Sequence, residues 1–149
     1  MVEKIDFLVL TDLEVKFKEE IIKLALDKLE QKNYLNDKEQ FFKDILDREN
    51  KYPTYIGHGI GLPHSQSNGV KCPCVVVIAR LKNEVVWTDE NEKVDTVFLI
   101  AVSKESKENL HLKILSKLAR LLMHEDFRKS VKNLKENELL ELLNKKIEE

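Results

Sequence analysis

Glycine, proline and cysteine are all scarce here: the 149-residue chain holds four, three and two of them. Two cysteines as close as Cys72 and Cys74 make no disulfide framework. Their C-x-C spacing is not the redox C-x-x-C, and zinc would need two further ligands supplied by the fold. Long apolar runs are missing too. The longest, around Cys74–Ala79 and Val97–Val102, fall far short of a bilayer span, so membrane insertion is not expected. The opening MVEKIDF lacks a basic segment followed by an apolar one. No signal peptide is therefore expected, and the cytoplasm is the simplest compartment. The net charge is only −2, which gives no indication of a nucleic-acid-binding face. No G-x-x-x-x-G-K-[ST] motif points to ATP, and no H-E-x-x-H to a metalloenzyme helix. Repeats, low-complexity tracts and linkers are absent as well, so a single domain over 1–149 is expected.

Charged side chains make up 35% of the residues, against 42% apolar. Such a chain can bury a core beneath a densely ionic surface. Ile5–Leu10 reads as a strand ended by Thr11 or Asp12. Ile21, Ile22, Ala25 and Leu29 then share one helical face. Asp37 is placed as an N-cap, with Gln40 three residues on as in a capping box. Phe41, Phe42, Ile45 and Leu46 give that second helix its apolar side, and it should end near Asn50. Cys74–Leu81 and Val94–Val102 are continuous apolar runs, as expected of central strands buried on both faces. Val85–Trp87 reads as a short extra strand or hairpin arm. From Ser106 the pattern is helical, with Ile114, Leu115, Leu118, Ala119 and Leu122 on one face. Two shorter helices are expected around Glu125–Val131 and Glu136–Ile147. These elements define an α/β fold, a mixed β-sheet sandwiched between helices.

All four glycines fall between Gly57 and Gly69, together with Pro63, His58 and His64. Tyr55–Gly69 should therefore be irregular and accessible, with a short strand at Ile60–Leu62. Pro63 stiffens the step before His64 and biases Leu62 towards extended backbone. A neutral imidazole placed so is a nucleophile that a partner can approach. The same residues also fit a turn histidine with no chemistry. His111 lies at the start of the third helical pattern, on its inward side. There it suits either an anion at a helix N-terminus or a core histidine. Arg48, near the end of the second helix, offers a fork for phosphate oxygens. On spacing alone a surface ion pair, such as one with Asp44, fits it better. His58 sits between two glycines and reads as peripheral, and His124 as a solvent-facing residue near a helix end.

The stretches REN at Arg48, YIGHGIGLPH, NGVKCPCVVVIARL, VDTVFLIAV and ENLHLKILSKLARLL together resemble the fructose/mannitol-type A domain (EIIA type 2) of the phosphoenolpyruvate-dependent phosphotransferase system. The likeness runs from about Asp6 to the last helix. The resemblance implies that His64 carries a phosphohistidine on Nε2, supported by His111 and Arg48, with no cofactor and no metal. It implies the phosphocarrier protein HPr as donor, a cysteine of the EIIB component as acceptor, and uptake of a sugar such as fructose. The cysteine of a B domain opens a phosphate-cradling loop after a strand, whereas Cys72 and Cys74 introduce one. The chain departs from the family pattern at two places. Gly61 stands where Ala is usual, and Ser65 where Gly or Ala is usual. Both keep a small side chain, and the Ser65 hydroxyl could reach the phosphate. Two other functions stay open: a nitrogen-related regulatory protein sharing the same histidines, and a metal-dependent hydrolase using His58, His64 and His111.

Overall fold

A computed structural model describes residues 5–106 and 109–148. The described residues build a five-stranded sheet from β1 (Ile5–Leu13), β2 (Ile60–Gly61), β3 (His64–Ser67), β4 (Cys74–Val86) and β5 (Lys93–Ser103). Its path is β1-β4-β5-β2, and β3 also pairs with β5. β1 runs parallel to β4, and β2 and β3 run parallel to β5, while β4 and β5 are antiparallel. The sheet is therefore mixed, as expected. β1 extends beyond the expected Leu10 to Leu13 by way of an irregularity at Leu10–Leu13, where Asp12 takes a φ of 59°. Of the two expectations for Val85–Trp87, an extra strand or a hairpin arm, the second holds for Val85 and Val86, which form the far end of β4. After a register shift, Val85 and Val86 pair with Val94 and Lys93.

Alternation along β4 and β5 sends side chains into two cores. Val75, Val77, Leu99 and Ala101 face α1 (Lys18–Gln31) and α2 (Lys38–Lys51), meeting Ile22, Leu26, Phe41 and Ile45. Val76, Ile78, Phe98 and Ile100 face α3 (Leu110–Leu121), α4 (Glu125–Asn133) and α5 (Glu136–Glu148), meeting Ile114, Leu118, Phe127 and Leu139. Burial of both faces explains why these strands read as continuous apolar runs. A third cluster, with Val15, Ile21, Val85 and Trp87, closes one end of the sheet.

Local chemistry sets the ends of α2. The Asp37 side chain accepts the Gln40 amide N–H at 3.1 Å, which is the expected cap. The Gln40 side chain turns to Asp44 at 2.9 Å. Gly69 docks on this helix start, its carbonyl accepting Asn36 and Asp37 N–H. A Cβ on Gly69 would stand 2.4 Å from the Asp37 carbonyl oxygen, so only glycine fits there. α3 begins at Leu110, later than the expected Ser106, which lies in the turn after β5. Part of the intervening stretch lies outside the described residues.

Candidate phosphoryl-transfer site

His64 opens β3 and pairs with Ile100 on β5, whose N–H donates to the Pro63 carbonyl at 2.9 Å. The expected irregular, accessible stretch is thus partly a strand, and His64 is only 8% exposed. The expectation failed because pairing with β5 joins residues thirty-six positions apart, beyond the reach of local glycine content.

The imidazole is oriented at both nitrogens. Nδ1 lies 2.8 Å from the Leu62 carbonyl. A carbonyl only accepts, so Nδ1 carries the proton. Nε2 lies 3.4 Å from Nη2 of Arg48. A guanidinium only donates, so Nε2 presents its lone pair to that donor. Arg48 is steadied by donating from Nη1 to the Tyr52 carbonyl at 3.0 Å, and its guanidinium lies 5.7 Å from the Tyr52 ring centre. The alternative pairing with Asp44 does not form, since Asp44 instead accepts from Gln40 and from the Ser67 hydroxyl. Burial pushes the His64 pKa below its ordinary value. The Leu62 carbonyl and the Glu49 carboxylate oppose that shift, while Arg48 and His111 reinforce it by charge repulsion. The ring is therefore neutral at neutral pH, the form that acts as a nucleophile.

His111 is the second residue of α3 and close enough to His64 to influence its titration. Its Nδ1 is buried and has no hydrogen-bond partner among the described residues. The three expected residues thus come from three elements, the end of α2, the start of β3 and the start of α3. His58 does not join them. It is exposed, holds a φ of 56°, and borders a groove of about 460 Å³ with Ser116, Arg120 and Met123. Among the described residues, no three His, Cys, Asp or Glu side chains gather as metal ligands, so His58, His64 and His111 form no such group. The Ser65 hydroxyl donates to the Gln66 carbonyl at 3.2 Å, along its own strand. His124 is exposed at the start of α4.

Gly61 has a clear structural reason. A Cβ there would lie 2.8 Å from Cε2 of Trp87, so the indole occupies the space of the expected alanine methyl. Sequence reasoning missed Trp87, and it also missed Glu49. The latter left a readable signal: an acidic residue four positions after Ile45 and eight after Phe41, on the apolar side of α2.

Fold and site together define a mixed-sheet α/β domain built around one oriented, neutral imidazole. The chain belongs to the family "Phosphoenolpyruvate-dependent sugar phosphotransferase system, EIIA 2", which it matches over residues 4–146. It is 35% identical over 121 residues to the fructose-specific EIIABC component of Bacillus subtilis; that match covers 80% of this chain but only 19% of the Bacillus protein. It is 34% identical over 115 residues to the fructose-specific EIIA component of Haloferax volcanii, covering 76% of this chain and 73% of that one. Among solved structures, the nitrogen regulatory protein IIA-Ntr of Neisseria meningitidis superposes with a TM-score of 0.76 at 26% identity, covering 94% and 92% of the two chains. The mannitol enzyme IIA of Escherichia coli, solved in complex with phosphorylated enzyme IIB, gives 0.73 at 26% identity, covering 91% and 92%. No helix among the described residues is long and apolar enough to cross a membrane.

Proposed function

We propose that this chain is a single EIIA domain that relays a phosphoryl group on His64 Nε2, taking it from phosphorylated HPr and passing it to a cysteine of an EIIB component. The observation that carries this reading is the state of the imidazole. Nδ1–H is held by the Leu62 carbonyl, and the Nε2 lone pair lies beside Arg48. In the first step that lone pair attacks phosphorus, and the P–N bond to the donor histidine breaks with its electron pair returning to the donor ring. The proton on Nδ1 stays in place, so the phosphorylated ring keeps a positive charge opposite the phosphate. Arg48 stabilises the equatorial oxygens, and His111 donates to them from the start of α3. The catalysis is positioning and electrostatics rather than acid–base chemistry. In the second step a thiolate attacks phosphorus and the P–N electron pair returns to Nε2.

The names of the Bacillus and Haloferax relatives support a sugar such as fructose as the eventual cargo. The Escherichia complex supports an EIIB acceptor. A cytoplasmic setting follows from such a donor and acceptor. The likeness to the Neisseria protein favours a second reading, a regulatory protein whose binding to other proteins depends on the same phosphorylation.

The test is incubation with phosphoenolpyruvate, enzyme I and HPr, then mapping of acid-labile phosphate. His64→Ala should abolish labelling with the fold retained. Undiminished labelling of that variant removes His64 from the role. Labelled protein that transfers to no EIIB component would favour the regulatory reading.

A further inference from the structure

Arg48 acts on the Nε2 side of His64, and its neighbour Glu49 takes no part in that chemistry. Yet Glu49 has no exposed surface. Its Oε1 lies 3.1 Å from Nζ of Lys18 and accepts the Thr54 N–H at 2.9 Å. Oε2 has no hydrogen-bond partner among the described residues. Lys18 also donates to the Trp87 carbonyl at 3.0 Å, and its Nζ lies 4.4 Å from the centre of the indole ring. A buried ion pair is weak evidence for stability, because desolvation offsets its attraction. Its place in the fold points to a different role.

The hydrogen bonds from Glu49 lead to the nucleophile. Thr54, whose N–H is held by Glu49, accepts at its carbonyl the Leu62 N–H at 3.0 Å and the Trp87 Nε1–H at 3.1 Å. Leu62 in turn accepts Nδ1–H of His64 at 2.8 Å. At Thr54 and again at Leu62 the two bonds belong to different peptide groups, so the series transmits position rather than polarisation. One nitrogen of His64 is thus referenced to Arg48 and the other, through two residues, to Glu49. Both references arise from consecutive positions on the last turns of α2. Trp87, which excludes a side chain at Gly61, packs against the same segment.

From this we infer that Glu49 is a positioning residue for phosphoryl transfer, which holds the Thr54–Leu62 segment so that His64 keeps Nδ1 protonated and Nε2 directed at Arg48, with Lys18 as its counter-charge. The inference rests on the phosphoryl-carrier reading, but part of its test needs no phosphate.

Four forms of the full chain are compared: wild type, Lys18→Met with Glu49→Leu, Lys18→Met with Glu49→Gln, and a chain with an ester at the Pro53–Thr54 linkage, which replaces the Thr54 N–H by oxygen and keeps every side chain. The readouts are the ¹⁵N shifts of the His64 ring, which report its tautomer, and the rate of phosphorylation at saturating phospho-HPr. The leucine form should show a mixture of tautomers and a rate about tenfold to a hundredfold lower, the scale of a misplaced reacting group. The glutamine form should recover most of the rate, because its uncharged amide oxygen still accepts the Thr54 N–H. The ester form should move in the same direction as the leucine form. An unchanged tautomer in the ester form, or a shifted tautomer with a wild-type rate, overturns the inference. If the leucine form does not fold, the ester form decides. If the wild type takes no phosphate, the carrier reading fails, and the ring tautomer still decides the positioning role.

Discussion

Arg48 and His64 meet at 3.4 Å, Nη2 to Nε2, across a sequence separation of sixteen residues. The second guanidinium nitrogen is anchored on the Tyr52 carbonyl, so the fork is aimed before any phosphate arrives. Pre-aimed donors cost no reorganisation at the moment of transfer.

Arg48→Lys should therefore slow acceptance of phosphate by about tenfold or more, because an ammonium cannot bond Tyr52 and a phosphoryl oxygen in the same planar arrangement. Single-turnover labelling by phospho-HPr measures this. A wild-type rate for the lysine variant would show that charge alone suffices.

The second expectation concerns pH. Burial is the main cause holding the folded-state pKa of His64 below its ordinary 6.5. The folded protein therefore resists a proton that the unfolded chain accepts. Stability contributed by the neutral ring is present above about pH 6.5 and is lost as pH falls through the lower folded-state value. Denaturant midpoints at pH 7.5 and pH 5 should differ less in His64→Gln than in the wild type. Equal differences in the two proteins would contradict a buried, neutral His64. The labelling rate should be flat near neutrality and fall only at more acid pH.

His111 sets function against stability. Its Nδ1 is buried without a partner among the described residues, and such an atom costs about 1–3 kcal/mol. His111→Leu should leave the unphosphorylated protein as stable as the wild type, or more stable, while slowing onward transfer to an EIIB component. Urea unfolding and a transfer assay on the same sample measure the two effects. A destabilised variant that transfers normally would make His111 a structural residue.

Gly61→Ala should cost about 1–3 kcal/mol, the usual penalty for overpacking a filled site. The added methyl would meet Cε2 of Trp87 at 2.8 Å. Trp87→Leu in the alanine background should recover part of that loss, and a double-mutant cycle would expose the coupling. Additive effects would mean that the indole is not the obstacle.

His58 holds a left-handed backbone and borders a groove with Ser116 and Arg120. His58→Gly should relieve a strain of about 1 kcal/mol, offset in part by the greater freedom of unfolded glycine. Labelling of His64 should not change. Slower labelling would bring His58 into the site after all.

The elements with a clear period were legible in the chain. Asp37 announced the start of α2, and two unbroken apolar runs announced β4 and β5 as strands covered on both faces. Motif and order singled out His64, Arg48 and His111 as candidates, and the fold brings Arg48 to His64. The segment around His64 was misjudged: its glycines and proline suggested an open loop, whereas β5 draws it into a strand. Glu49 was overlooked because amphipathic reading treats a charged residue as part of the solvated face, though its spacing from Phe41 and Ile45 placed it inside.

Local periodicity, capping chemistry and the Pro63–His64 step are properties of neighbouring residues, so the sequence by itself determined the α/β class and most element boundaries, and singled out His64 as the candidate phosphoryl carrier. Only the tertiary structure decided which nitrogen of His64 keeps its proton, what orients Arg48, and why residue 61 has no side chain. Each depends on contacts between groups far apart in the chain: Pro63 with Ile100, Arg48 with His64, Gly61 with Trp87. Such contacts are set by how the helices and strands pack. Burial then leaves the His64 ring neutral with its proton on Nδ1, because removal from water and a single carbonyl acceptor together select one protonation state.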